Sequence, residues 1–337
     1  MDAAEKYQSE PLLQFINSVT AVFNLGEIIS ISEMAGSASR LWRFTAPAGA
    51  FVVKELPYND QEQTFALPQA AAFEAKLLGE QHVLGPTPVP NRNDEYVSSL
   101  TGSRGEECLV RVHHWFTGVP PNVDDLATLG QAGRTLRTIQ TAGAAWSRRS
   151  NGSLQSWHKD PNESLERFLA SSYWDGASGA TFRSVITDAL VLVRTGELML
   201  GDWIYTHRDH KPENCLIQAG VVAVLDWDEC NYCHPRLEAV AAALRWAGGN
   251  EPHPARFKAF MSGYNDSDPT IEKLHEQDFA KWIAELLSWF CFQAGRTLGE
   301  WSGITEPERT VAATLAQDAL TTLQSSLAAL PHWTRLL

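Results

Sequence analysis

The chain has 337 residues, of which 44% are hydrophobic and 20% charged, with twelve Trp. That composition belongs to a folded globular protein and argues against disorder, and the length suits two compact lobes with a ligand at their junction. A net charge of −13, from 27 Lys+Arg against 40 Asp+Glu with no basic run, excludes the footprint that nucleic-acid binding needs; it fits plain solubility and also admits a cationic substrate. No apolar run reaches the ~20 residues that span a bilayer. The first residues lack the basic-then-apolar order of a signal peptide, so a cytoplasmic location is expected. Cys108, Cys215, Cys230, Cys233 and Cys291 are odd in number and irregularly spaced, which points to free thiols.

In chain order, Leu12 to Leu25 has the spacing of a short amphipathic helix closed by Gly26. Three strand-like stretches follow, Glu27–Met34, Arg40–Thr45 and Ala50–Leu56, separated by Ala-Gly-Ser and Pro-Ala-Gly turns. Pro68 suits the first turn of a helix over Gln69–Gln81, and two more strands are expected near Glu95–Leu100 and Glu107–Phe116. Beyond these, helices are expected over Asp125–Ala142, Ser164–Ser171, Ala180–Leu198, Leu237–Ala247, Pro254–Tyr264, Ile271–Leu298 and Glu306–Leu327. The order predicts an α+β fold, with an antiparallel-sheet lobe over residues 1–115 and a mainly helical lobe over 116–337.

The segment that carries chemistry runs from His207 to Asp228. Asp209 and Asn214 sit five apart in a turn-rich stretch, and Asp226 closes the apolar run Val221–Leu225. Phosphoryl transfer asks for such a set, because charge spreads over the phosphoryl oxygens in the transition state and the catalyst must mainly position and neutralise. Hard carboxylate and amide oxygens suit Mg²⁺, and a further carboxylate must face the attacking hydroxyl. Asp209 is the candidate base, and Asn214 and Asp226 are the candidate metal ligands.

His207-Arg208-Asp209-His210-Lys211-Pro212-Glu213-Asn214 resembles the catalytic loop of protein kinases. Asp226-Trp227-Asp228 resembles the D-x-D metal motif of aminoglycoside phosphotransferases and choline-kinase-like small-molecule kinases. The resemblance implies a two-lobed protein-kinase-like fold, ATP and Mg²⁺ as cofactors, and Asp228 beside Asn214 and Asp226 at the metal. It implies that Lys54 contacts the nucleotide phosphates while Glu74 pairs with it, with Glu80 and Glu62 as competitors for that role. It also puts the adenine site near His113, His114 and Trp115, and a phosphate-covering turn at Met34–Ser39. That turn has a single glycine; Ser37 and Ser39 offer hydroxyls there, and an ordinary hairpin turn fits equally well. There is no G-x-x-x-x-G-K-[ST].

Only Glu229–His234 separate Asp228 from the next helical pattern, too few residues for a peptide-binding activation loop, so the acceptor is expected to be a small molecule. Arg208 is then left to a structural salt bridge, Glu238 to an internal ion pair or cap, and His207 to packing. An antibiotic, aminoglycoside-like or otherwise cationic, is the leading acceptor, with Trp282, Trp289 and Trp301 and the acidic Asp278, Glu285 and Glu300 as pocket candidates or simply helix-packing groups. The alternatives are a choline-, homoserine- or sugar-type kinase and a non-catalytic nucleotide-binding pseudokinase. Cys230–His234 also matches the C-x-x-C-H haem pattern, which the missing export signal and its place inside the kinase segment argue against.

Overall fold

The computed structural model describes residues 10–34, 39–57, 61–80, 82–155, 157, 159–174, 179–266, 271–301 and 304–337. In chain order these form α1 (Glu10–Val22), β1 (Ser30–Met34), β2 (Arg40–Ala46), β3 (Gly49–Pro57), α2 (Gln61–Gly79), β4 (Ser98–Thr101), β5 (Glu107–His114), α3 (Leu126–Trp146) and β6 (Arg148–Arg149). They continue with α4 (Pro161–Leu169), α5 (Gly179–Glu197), β7 (Trp203–Thr206), β8 (Cys215–Gln218), β9 (Val221–Val224), β10 (Asn231–Cys233), α6 (Pro235–Ala247), α7 (Pro254–Asn265), α8 (Ala280–Thr297) and α9 (Glu306–Trp333). The antiparallel N-terminal sheet and helical C-terminal part are those expected from the sequence. No helix of the described residues is long and apolar enough to cross a membrane.

The chain divides into two compact units. The first comprises residues up to Pro121, Thr141–Trp146 and Thr206–Asn231; the second comprises Asn122–Gln140, Ser147–Tyr205 and Tyr232–Leu337. The first is built on a five-stranded antiparallel sheet in the order β1-β2-β3-β5-β4. Side chains alternate across a strand, so each strand serves two faces. One face takes Trp42, Phe44, Phe51, Val53, Val110 and Val112 under Leu12, Phe15 and Val19 of α1. The other takes Leu56 and Leu109 against Leu67 of α2. Lys54 and Arg111 lie directly opposite one another in the β3–β5 register, and cross-strand partners share a face. Two cations therefore stand side by side on the α2 face of the sheet.

The hairpin β8–β9 is fastened within the same unit. Val224 N donates to Leu84 O at 2.8 Å, Val119 and Ile217 exchange backbone hydrogen bonds at 3.0 and 2.7 Å, and Gln218 Nε2 donates to Thr117 O at 2.7 Å. The approach is close enough to require glycine: a Cβ on Gly85 would lie 2.6 Å from Val224 O, and one on Gly118 2.8 Å from Leu216 Cβ. The second unit is organised around α8, whose buried Ile283, Leu287, Phe290 and Ala294 recur at helical spacing and pack against α9, α5, α4 and α6.

Three of the boundaries that differ from the sequence reading have a visible cause. α2 extends back to Gln61 with Pro68 inside it; Pro68 is exposed, so the carbonyl left without its N–H partner can be solvated. The long helix expected from Ile271 begins only after a 3₁₀ turn, because Asp278 is fully buried and accepts from His275 N at 2.7 Å, holding the preceding residues out of helix. α9 runs beyond Leu327 to Trp333, through Pro331, since Leu330 and Trp333 are buried.

Gly85→Ala is expected to lower stability by about 1–3 kcal/mol, the usual penalty for overfilling a packed contact, because its neighbour is backbone and cannot rotate away. Urea unfolding of the two proteins checks this, and unchanged midpoints would show that the hairpin is not held as tightly as the contact implies.

Candidate active site

All the candidate catalytic side chains of the first unit sit on or beside the α2 face of the sheet and the β8–β9 hairpin. His207 is fully buried and works as a strut: its Nε2 lies 3.0 Å from Leu225 O and its Nδ1 accepts from Asp209 N at 3.3 Å. Those two contacts make His207 a scaffold joining the 207–214 loop to the end of the β9 run. Its ring also meets Trp227 edge-on at 4.8 Å, and Trp227 meets Phe73 of α2 at 6.2 Å. The apolar stack thus ties the loop, the Asp226–Asp228 turn and α2 together.

Asp209 and Asn214 are held by each other. Asn214 Nδ2 donates to Asp209 O at 3.1 Å and to Asp209 Oδ2 at 2.8 Å, which leaves the amide oxygen of Asn214 on the side away from Asp209. Lys211 Nζ also reaches Asp209 Oδ2, at 2.6 Å. The sequence spelled out Lys211 within the loop without giving it a task; the structure sets it against the candidate base. Leu225 N donates to Asn214 O at 2.8 Å, which brings Asp226 beside the pair. Arg208 and Asp226 both adopt left-handed backbone, with φ of 65° and 57°, a conformation uncommon for non-glycine residues and concentrated at functional sites. Lost hydration raises the Glu229 carboxyl pKa most; nearby Arg208 lowers it, Asp209, Asp228 and Asp226 each add a smaller upward push, and the net direction is up.

Lys54 Nζ sits 2.6 Å from Asp226 Oδ1 and is also paired with Asp228 Oδ2. Burial pushes the Lys54 pKa down, but the carboxylates of Asp228 and Asp226 outweigh it and the net direction is up. Glu74, 1% exposed, pairs with Arg111, 2% exposed, and its Oε1 lies 3.1 Å from His113 Nε2. The direct Lys54–Glu74 pair implied by the sequence is therefore replaced. Arg111 spans Glu74 and Asp228, and Asp228 in turn meets Lys54. The physical reason is the register: Arg111 lies opposite Lys54, and a rigid guanidinium fork can serve two carboxylates where an ammonium is a point charge. Asp228, expected at the metal, turns one oxygen to Arg111 and the other to Lys54. Asp226, with its side chain 45% exposed, is the open carboxylate of the D-x-D motif.

Other expected positions are more dispersed. His114 lies against Phe51 at 5.1 Å, and Trp115 carries the Arg43 guanidinium 4.2 Å above its ring and donates its N–H to Ala50 O. Ser37 lies outside the described residues. In the second unit, Asp278 is held by Arg236 at 2.6 Å, Glu285 by Arg245 at 2.7 Å, and Glu300 by Lys159 at 2.6 Å. Trp282 is buried, whereas Trp289 is exposed and stacked on Phe292. Glu238 is buried and accepts from Gln140 Nε2 at 2.9 Å. The five cysteines are buried free thiols.

The donor set fits a magnesium nucleotide better than a protein-held metal. Among the described residues no three His, Cys, Asp or Glu side chains form a metal cage. One exposed carboxylate and one amide oxygen beside a lysine match an ion that keeps waters and takes its remaining ligands from phosphates. A family model described as "Phosphotransferase enzyme family" matches residues 31–276. The chain belongs to that family.

Solved structures agree with this phosphotransferase over nearly full length. A spectinomycin phosphotransferase in complex with ADP and spectinomycin superposes with a TM-score of 0.66 at 11% identity, covering 96% of this chain and 98% of its own. A microcompartment-associated aminopropanol kinase gives 0.64 at 16%, covering 96% and 100%. The choline kinase LicA from Streptococcus pneumoniae gives 0.56 at 18%, covering 92% and 97%. At such identities the likeness carries the fold. No curated protein matches the chain.

The Glu74 carboxyl yields a pH prediction. Burial pushes its pKa up, but Arg111 and His113 more than offset this and hold it below the ordinary 4.5. A folded pKa below the unfolded one stabilises above the unfolded value, and the gain is lost as pH falls through the depressed one. The wild-type urea midpoint should therefore drop on going from about pH 5 to about pH 3, with a shallower drop in Glu74→Gln. Parallel losses in the two proteins would contradict the assignment.

Proposed function

We propose that this phosphotransferase moves the γ-phosphoryl group of ATP, as its magnesium complex, to a hydroxyl of a small molecule in the cytoplasm. The observation that carries the reading is the arrangement of Asp209, Asn214, Asp226 and Lys54 in one unit, with Asp226 2.6 Å from Lys54 and Asn214 2.8 Å from Asp209. Lys54 supplies positive charge to the phosphates, and residues 1–115 form the nucleotide-binding lobe. Asn214 and Asp226 would hold the divalent cation, which supplies charge neutralisation at the phosphates when bound. Asp228, engaged by two cations, holds Lys54. His113, His114 and Trp115 would flank the adenine through their backbone.

Asp209 orients the acceptor hydroxyl and takes its proton as the new O–P bond forms and the γ-phosphorus separates from the bridging oxygen, which leaves with ADP. Lys211 and Asn214 fix one carboxylate oxygen, so the carboxylate is aimed without having to reorganise during the reaction. Retention of every catalytic group argues against a pseudokinase.

The acceptor we favour is an antibiotic, supported by the spectinomycin phosphotransferase likeness. Two observations favour a second reading, a small amino alcohol: the matching kinases include those named for aminopropanol and choline, and Asp278, Glu285 and Glu300 each already have a cation partner. An ADP-release screen across aminoglycosides, spectinomycin, choline and small amino alcohols separates the two. Phosphorylation of none of them would count against transfer itself.

With the acceptor found, Asp209→Ala should lower kcat roughly 10²–10⁴-fold while Mg·ATP affinity stays within about threefold. Asp226→Ala should weaken Mg·ATP binding as well. Steady-state kinetics with calorimetric titration of Mg·ATP check both, and wild-type turnover by Asp209→Ala would remove it from the role of base.

A further inference from the structure

We propose that Arg111 is a positioning residue for nucleotide binding, acting through Asp228 on Lys54, so that helix α2 holds the phosphate-binding lysine by an indirect chain of charges. The inference rests on the reading of Lys54 as the group that meets the phosphates. Its observations are geometric. Arg111 and Lys54 are register partners on β5 and β3 and face the same side of the sheet. The guanidinium reaches Glu74 of α2 with one nitrogen and Asp228 Oδ1 with another, and Asp228 Oδ2 meets Lys54.

The chain alternates in sign: Glu74, Arg111, Asp228, Lys54, Asp226. Its first three members have side chains 1%, 2% and 8% exposed, and the last is 45% exposed. Charge interactions in so buried a place are screened little by water or salt. A carboxylate left there without its cation would move or take up a proton. Asp228 without the fork of Arg111 has only Lys54 to hold its direction, and Lys54 is then left between a buried carboxylate that is no longer fixed and the 45% exposed Asp226. A lysine at position 111 keeps the charge but loses the bidentate geometry, so Arg111→Lys isolates positioning from charge.

A purely structural ion pair would stabilise the sheet and α2 whatever residue stood at position 54. The relay instead requires that the effect of Arg111 on nucleotide binding pass through Lys54. The test is a double-mutant cycle on the full chain, with Mg·ATP affinity measured by calorimetric titration for wild type, Arg111→Lys, Lys54→Met and the double variant. The relay predicts that Arg111→Lys weakens binding about tenfold when Lys54 is present, the scale seen for groups that orient ligand-binding residues. It predicts less than about a twofold change in the Lys54→Met background.

Equal fold changes in both backgrounds, or none with Lys54 present, would overturn the proposal while leaving the kinase reading intact. A wild type that binds no Mg·ATP would overturn the kinase reading and the relay with it. Should Arg111→Lys unfold, Glu74→Gln breaks the same chain at its far end and is run through the same cycle, with the same two outcomes.

Discussion

The geometry of the first unit depends on one carboxylate shared between two cations. Asp228 lies between Arg111 and Lys54, and both cations come from adjacent strands of one sheet. Burying this many charges has a large desolvation cost, which is met only when every charge has a partner in good geometry. Here that condition is met by joining three separate parts of the unit: α2 through Glu74, the sheet through Lys54 and Arg111, and the turn after β9 through Asp226 and Asp228. The packing of Phe73, Trp227 and His207 runs alongside and supplies the apolar half of the same junction.

The consequence for chemistry is a division of labour within the D-x-D motif. Asp228 faces inward and is committed to cations, while Asp226, in left-handed backbone, faces outward beside Asn214 and Asp209. On the proposed reading, Asp228 secures the lysine from the buried side, while Asp226, 2.6 Å from the same lysine, also meets the metal. On the same reading the acceptor is handled separately: His207 props the loop, and Lys211 and Asn214 hold the Asp209 carboxylate proposed to face it. The loop therefore carries its own scaffold within the eight consecutive residues His207 to Asn214.

How far the sequence was legible follows from the range over which each signal acts. The catalytic loop and the D-x-D turn could be read because their spacing is local and their residue types are chemically demanding. Lys54 is singled out by the family resemblance, from its position in an apolar strand, and the helices are legible because their periodicity is long. Arg111 escaped because Glu107–Phe116 reads only as a strand, and its partnership with Lys54 exists through the β3–β5 register, which no local pattern encodes. The same limit explains the expected Lys54–Glu74 pair: both residues stand on the predicted elements, and two charges distant in sequence, Arg111 and Asp228, come between them. Pro68 misplaced the start of α2 because the rule that proline opens helices ignores solvation of an exposed interior position. The acidic residues near α8 suggested a cation-binding pocket by composition, yet Arg236, Arg245 and Lys159 already hold them, which only the packing of the second unit reveals.

The central claim, that Lys54, Asn214 and Asp226 together receive a magnesium-bound triphosphate, is tested most directly by a crystal structure with a nonhydrolysable ATP analogue and Mg²⁺. The account predicts phosphate oxygens within hydrogen-bond distance of Lys54 Nζ and a metal ion ligated by the Asp226 carboxylate and the Asn214 amide oxygen, with Asp228 still turned toward Arg111. A nucleotide bound away from these side chains, or a metal held without Asp226, would contradict it.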